Sequence, residues 1–276
     1  MDRVPLCFIE EVLLLLEIQK PLFSCDTLQY PSTWGRVSAS KGVREQAVLD
    51  VYFESNKEPF FEVFSSGPVP LEDLDQYVLR RIAIREESGV LTEDRHPLNK
   101  ENFQLWRRHL RKGHPCTLAL LANFSGVSLV EQLCLAPSRV TNFYFSRHLP
   151  LPTKLLTQSI HRGTLRWLIC SSVHVTKEIF PVLLRFVASE PFEKFKLTCS
   201  TGPVSSRVVL EGAIDAFLSR PRRKQLSFVI SERYRDFCGR LTGEDLREKV
   251  EVEFRCTRTL LHVCPSESNC CLNKHK

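Results

Sequence analysis

The sequence predicts an α/β chain: a short helical N-terminal segment followed by an irregular solenoid of alternating strands and helices. The first observation is a four-residue pattern (apolar, any, apolar, polar) that recurs as Phe143-Tyr144-Phe145-Ser146, Leu168-Ile169-Cys170-Ser171, Leu197-Thr198-Cys199-Ser200 and Phe228-Val229-Ile230-Ser231. Its serines stand at 146, 171, 200 and 231, so the unit repeats at intervals of 25, 29 and 31 residues. Alternation with period two is a strand signal, and repetition at this spacing marks a stacked architecture. The second observation is that the period lengthens between these strands. Ile179, Leu183, Phe186 and Val187 lie at i, i+4, i+7 and i+8, and Leu210, Ile214, Phe217 and Leu218 repeat that spacing. These are one-sided amphipathic helices. The third is that 276 residues, 43% of them hydrophobic, can bury a full core without disulfides.

In chain order, Pro5 followed by Phe8, Ile9, Val12, Leu13 and Leu16 predicts an amphipathic helix that Pro21 stops. A second segment brings Leu22, Leu28 and Trp34. Ala47–Glu54 and Pro59–Phe64 flank Ser55-Asn56-Lys57-Glu58 and predict a hairpin. Pro68 to Leu79 reads as a loop with a short helix, and Ile82-Ala83-Ile84-Arg85 as a strand. Glu101–Arg111 is a helix with Phe103, Trp106 and Leu110 on one face, and Leu118-Ala119-Leu120 is a weaker strand. Leu151, Leu155, Leu156 and Ile160 mark another helix, Pro191 and Pro221 punctuate two helix ends, and Val252-Glu253-Phe254-Arg255 is the last strand.

A strand plus one helix cannot bury its own apolar face, so neighbouring units must stack. The strands resemble those of leucine-rich repeats: Val140, Phe143 and Phe145 take the L-x-x-L-x-L positions, as do Leu165, Leu168 and Cys170. The asparagine that closes that motif is absent, and the unit length varies. A doubly wound α/β domain shares the alternation and stays open as an alternative.

The first forty residues resemble an F-box. That motif opens on a Leu-Pro-like pair, continues into an apolar helix, and ends near a tryptophan in a serine-bearing helix. Val4-Pro5 stands for the opening pair, and Leu28, Ser32 and Trp34 for the close. MDRVPLCFIEEV and STWGRVSAS look like the expanded nematode families that join a divergent F-box to C-terminal strand–helix units. Ser24-Cys25-Asp26 lacks the usual acidic-leucine step. The resemblance implies an F-box-like segment over 1–42 and a repeat domain over 43–262, and the terminal position of 263–276 predicts a disordered, cysteine-containing tail. It also implies a non-catalytic substrate receptor of a Skp–cullin–F-box ubiquitin ligase. The expected adaptor-facing residues are Pro5, Leu6, Phe8, Ile9, Val12 and Trp34. A second reading of residues 4–40 is a cap on the end of the array.

Charge and cysteine content narrow the class. The net charge is +6, from 38 basic and 32 acidic residues. The basic runs Arg107–Lys112 and Arg220–Lys224 fall where helices end, and cations favour that position, so no nucleic-acid partner is expected. Asp2, Glu10 and Glu11 interrupt the opening apolar segment, which argues against a signal peptide, and no stretch reaches membrane-spanning length. The expected setting is intracellular, cytoplasmic or nuclear, with the eleven cysteines as thiols. Asn123-Phe124-Ser125 is then only formally a glycosylation sequon.

No Gly-rich phosphate loop, H-E-x-x-H or G-x-S-x-G occurs. Cys170 and Cys199 are expected at inward strand positions. His262, Cys264, Cys270, Cys271 and His275 carry zinc-type donors, but the spacing fits no paired knuckle, so no metal or other cofactor is expected. The alternative to a binding protein is an α/β-sheet enzyme with polar loops at its strand ends, here Ser146-Arg147-His148, Ser171-Ser172, Ser200-Thr201-Gly202 and Ser231-Glu232-Arg233. Such serines also bond simply to a turn. The target of the binding reading is an unknown protein. Its expected docking residues point away from the helices: Asn142 and Tyr144, Trp167 and Ile169, Lys196 and Thr198, Ser227 and Val229, Glu251 and Glu253.

Overall fold

Glu45–Phe53 (β1) and Phe60–Phe64 (β2) pair antiparallel, as the two apolar runs predict. Alternation sends Ala47, Leu49, Val51 and Phe53 of β1 into the core and leaves Asp50 and Tyr52 on the other face. The computed structural model describes residues 9, 12, 45–53, 58–86, 95–124, 126–145, 149–150, 152–220 and 225–266. After β2 a single 3-10 turn, Leu71–Gln76, carries the chain to Tyr77–Glu86 (β3), which lies parallel to β1. The strand therefore begins at Tyr77, and the predicted loop and short helix end before it.

The chain then alternates. His96–Pro97 (β4) pairs with β2, and Lys100–Leu110 (α1) leads to Cys116–Leu120 (β5). Ser128–Leu135 (α2) leads to Val140–Phe145 (β6) and Leu149–Pro150 (β7), and Thr153–His161 (α3) to Trp167–Cys170 (β8) and Val173–His174 (β9). Ile179–Val187 (α4) leads to Lys194–Leu197 (β10) and Ser200–Thr201 (β11), and Ser206–Leu218 (α5) to Leu226–Ser231 (β12). Three short 3-10 turns between Glu232 and Leu246 precede Val250–Arg255 (β13), and Leu261–Pro265 (β14) follows.

Local chemistry sets these boundaries. Asn99 caps α1 by accepting from the Asn102 N–H at 2.9 Å, and Arg107, Arg108 and His109 fill its last turn, where cations suit the helix dipole. Ser205 caps α5 by accepting from the Val208 N–H at 3.3 Å. In α4 the Thr176 hydroxyl accepts from the Ile179 N–H at 3.2 Å, and Pro181 sits in the first turn, where its missing N–H costs nothing.

The eleven-stranded sheet has the order β13-β12-β14-β10-β8-β6-β5-β3-β1-β2-β4. From β1 through β3, β5, β6, β8 and β10 each strand joins the growing edge parallel to the one before. A second small sheet, β11-β9-β7, is parallel too and repeats in step, because each of its strands follows a main strand within a few residues of sequence. The two outer edges are blunted: β13 carries exposed Glu251 and Glu253, and β4 ends in Pro97.

One apolar core holds the buried residues of α1 to α5 together with one parity of the main strands, among them Ile84, Leu118, Phe143, Leu168, Phe195 and Phe228. The other parity, including Ala83, Ala119 and Val229, is outside it. The five helices therefore cover a single face of the sheet. A doubly wound sheet would draw both parities into helix-covered cores, and the described residues do not build that.

Three features differ from the sequence expectations. Helix α2 went unpredicted because it is only 8 residues long, too short for a periodic signal. The strand expected over 197–200 lies three residues earlier, so Phe195 and Leu197 point inward and Cys199 is exposed rather than inward. The boundary drawn at 262 falls inside β14: Val263 and Cys264 are buried strand residues. Cys270, Cys271 and His275 lie outside the described residues.

Gly212 of α5 sits where a Cβ would come within 2.8 Å of Phe180 Cζ and 3.0 Å of Leu184 Cδ2 on α4. The glycine thus sets how closely the two helices approach. Gly212→Val should destabilise the fold by about 1–3 kcal/mol, as overpacking does. A urea midpoint equal to that of the unchanged chain would show that the helices separate at no cost.

Candidate functional site

The face of the sheet away from the helices carries polar and half-buried side chains and, at Asp50, Ala83, Ala119 and Val229, buried ones. Its register places Asp50, Ala83, Ala119, Tyr144, Ile169, Lys196, His262, Val229 and Glu253 in one row across the strands. The adjoining row contains Arg81, Thr117, Asn142, Trp167 and Lys194.

The centre of this face is aromatic and cationic. Trp167 is half-buried, its indole N–H donates to Glu193 Oε2 at 3.1 Å, and the Lys194 ammonium lies 5.2 Å from its ring centroid. Glu193 also pairs with Arg166 at 3.4 Å, so one carboxylate holds both the tryptophan and the arginine. Tyr144 and Ile169 stand side by side in the row and are half-buried. The Asn142 amide donates to Thr117 Oγ1 at 3.2 Å.

Towards β1 the face is ionic. Asp50 is only 3% exposed and pairs with Arg85 at 2.9 Å. Burial raises its carboxyl above the ordinary aspartate range, while Arg85 and Arg81 pull it back. Arg95 pairs with Glu62 at 3.3 Å and lies over the Phe60 ring, 4.1 Å from its centroid.

His262, which the sequence offers only as a zinc-type donor, also lies on this face. On β14 it stands in register with Lys196 on one side and Val229 on the other. Burial first, then Lys194, Lys196 and Arg255, pushes its imidazole down from 6.5 to about 4. Below 6.5 the unfolded chain takes up a proton at this position and the folded chain does not, until the pH reaches about 4. Stability should therefore fall as the solution is acidified from 6.5 to about 4. Asp50 works in the opposite sense, since a raised carboxyl favours the folded state on acidification. Comparison with His262→Asn isolates the histidine: the difference in Tm between the two chains should shift across that window. A constant difference would exclude the effect.

The predicted target residues fall into two groups. Asn142, Tyr144, Trp167, Ile169 and Lys196 are contiguous and half-buried, and Thr198 follows directly after β10. Ser227, Val229, Glu251 and Glu253 lie beyond β14, and Ser227 and Val229 are buried at 7% and 5% exposure. Glu253 is held by Arg255 through Nε and Nη2, at 2.6 and 2.8 Å. Among the predicted adaptor residues, Ile9 is helical and 1% exposed, so the chain itself covers it, and Val12 is helical and half-buried. Pro5, Leu6, Phe8 and Trp34 lie outside the described residues. Lys194 and His262 were missed as members of this face because β10 lies earlier than expected and β14 was unassigned, and Arg166 and Glu193 because they stand just ahead of β8 and β10 rather than on them.

Of the strand-end serines, Ser200 and Ser231 are occupied locally, and Ser146 lies outside the described residues. Ser231 Oγ donates to the Thr257 carbonyl at 3.0 Å, and the Ser200 and Ser206 hydroxyls share a hydrogen bond at 2.6 Å. Cys170 and Cys134 are fully buried thiols pushed far above their ordinary range, and Cys116 is pushed up to about 12. Buried thiols of this kind act as small hydrophobes. No group of three or more His, Cys, Asp or Glu among the described residues is arranged to hold a metal ion. No helix among them is long and apolar enough to cross a membrane. No protein-family model, curated protein or solved structure matches the chain.

Proposed function

We propose that the chain is a substrate receptor of a Skp–cullin–F-box ubiquitin ligase, with a leucine-rich-repeat-like arc as its target-binding domain. The observation that carries the reading is the one-sided placement of the five helices, which leaves Tyr144, Trp167, Ile169 and Lys196 on a sheet face that those helices do not cover. Aromatic side chains on such a face are typical anchors for a protein partner. The parallel strands from β1 to β10, added in chain order with a second ladder in step, support a solenoid whose units stack edge to edge. The likeness of residues 2–42 to a divergent F-box supplies the adaptor half.

In this reading the chain makes and breaks no covalent bond. It holds a target lysine near a recruited conjugating enzyme and raises the effective concentration of the reacting pair. The test is co-purification of an Skp-type adaptor with the full chain and with Val12→Asp. Val12 suits this purpose better than Ile9, which is already covered. Retention by the parent chain and loss with Val12→Asp, with thermal unfolding unchanged, is the expected result. Failure of the parent chain to retain any Skp-type adaptor would end the ligase reading.

A further inference from the structure

We propose that the patch over β6, β8 and β10 binds an acidic peptide segment that carries an apolar anchor residue. The proposal rests on the reading of this face as the docking surface and adds the class of its ligand. The patch has two halves in fixed register. Tyr144 and Ile169 adjoin on the apolar side, and Lys196 follows Ile169 directly in the same row. Trp167 and Lys194 repeat that order one step along the strands. An extended ligand crossing the strands would thus meet an aliphatic or aromatic surface and, about 5 Å further on, a lysine.

The charge on this half is positive by arrangement. Lys194 and Lys196 are two residues apart on one strand, so their stems stand on the same face about 7 Å apart. Lys196 makes no ion pair among the described residues. The acid that precedes the strand, Glu193, is already shared between Arg166 and the Trp167 indole. The next neighbour across the strands, His262, stays neutral at physiological pH because burial and the surrounding cations oppose its charging. Incoming carboxylates would meet positive potential with no acid on β8 or β10 to repel them. A basic ligand would bring like charges together at this half of the face.

The test is selection of a random peptide library on the full chain, followed by affinity measurement on the parent chain and on Lys196→Glu. Selected peptides should be enriched in Asp and Glu next to Leu, Phe or Trp. Binding should weaken about tenfold or more in Lys196→Glu, the equivalent of about 1.4 kcal/mol, and should fall with added salt. Bound acidic peptide should also raise the titration midpoint of the His262 imidazole, followed by NMR. Enrichment of neutral or basic peptides, affinity unchanged in Lys196→Glu, or no enrichment at all would each overturn the proposal. So would salt-insensitive self-association that occupies the face, which would make a second copy the occupant. Adaptor co-purification by Lys196→Glu should match the parent chain. Loss of the peptide class with the adaptor retained rejects only this inference. Loss of the adaptor with acidic peptides still bound rejects only the ligase reading.

Discussion

Trp106→Ala is expected to lower the unfolding free energy by about 3–5 kcal/mol, with the m-value unchanged. The side chain is 0% exposed and sits on α1 against the outer end of the sheet. Its ring meets Phe61 of β2 edge-on at 5.5 Å and His109 of its own helix at 6.0 Å. Truncation removes the largest fully buried side chain among the described residues and leaves a cavity between a helix and a hairpin that the rest of the core cannot refill. The indole nitrogen is buried and finds no acceptor among the described residues, so the contacts they give the ring are packing contacts. Trp106→Phe should therefore recover more than half of the loss. If Trp106→Phe instead proves as damaging as Trp106→Ala, a polar contact of the indole outweighs its packing and the cavity account fails.

How much of this was legible in the sequence depends on the length of each signal. Phe103, Trp106 and Leu110 fall on one helical face with polar residues between them, and the helix lies within one residue of its predicted bounds. Likewise β8 and the last four residues of β6 alternate, with Asn142, Tyr144, Trp167 and Ile169 half-buried and Phe143, Phe145, Leu168 and Cys170 buried. Strand β10 was misplaced because Lys194-Phe195-Lys196-Leu197 and Leu197-Thr198-Cys199-Ser200 both alternate, and period two alone cannot choose between registers. The Cys199 thiol, exposed in the turn, is the cost of that slip. Strand β14 was hidden for another reason. It returns antiparallel between two strands of the array, and its partners are far away in sequence. Nothing local in Leu261-His262-Val263-Cys264-Pro265 announces a long-range insertion. Because of it, the docking residues expected on one continuous face are split, with His262 between Lys196 and Val229.

Val263→Asp should be the most damaging single change in the C-terminal part of the fold. Val263 is 1% exposed and in register with Phe195 of β10 on one side and Phe228 of β12 on the other. A carboxylate there has apolar neighbours across both ladders, and an unpaired buried charge costs several kcal/mol, about 4 or more. Val263→Ala removes only two methyl groups and should cost about 2 kcal/mol. The two variants separate charge from volume. The introduced carboxyl would have its folded-state pKa raised by burial, so its penalty grows as pH rises above the unfolded value and shrinks on acidification. The gap between Val263→Asp and Val263→Ala should therefore narrow towards about pH 4. The damage should also have a direction. Strands β12 and β13 join the rest of the sheet only through β14. Hydrogen exchange in Val263→Asp should accelerate first in Leu226–Ser231 and Val250–Arg255, ahead of β5, β6 and β8. Uniform acceleration across all strands would instead mean that the sheet unfolds as one unit and that β14 is no seam within it.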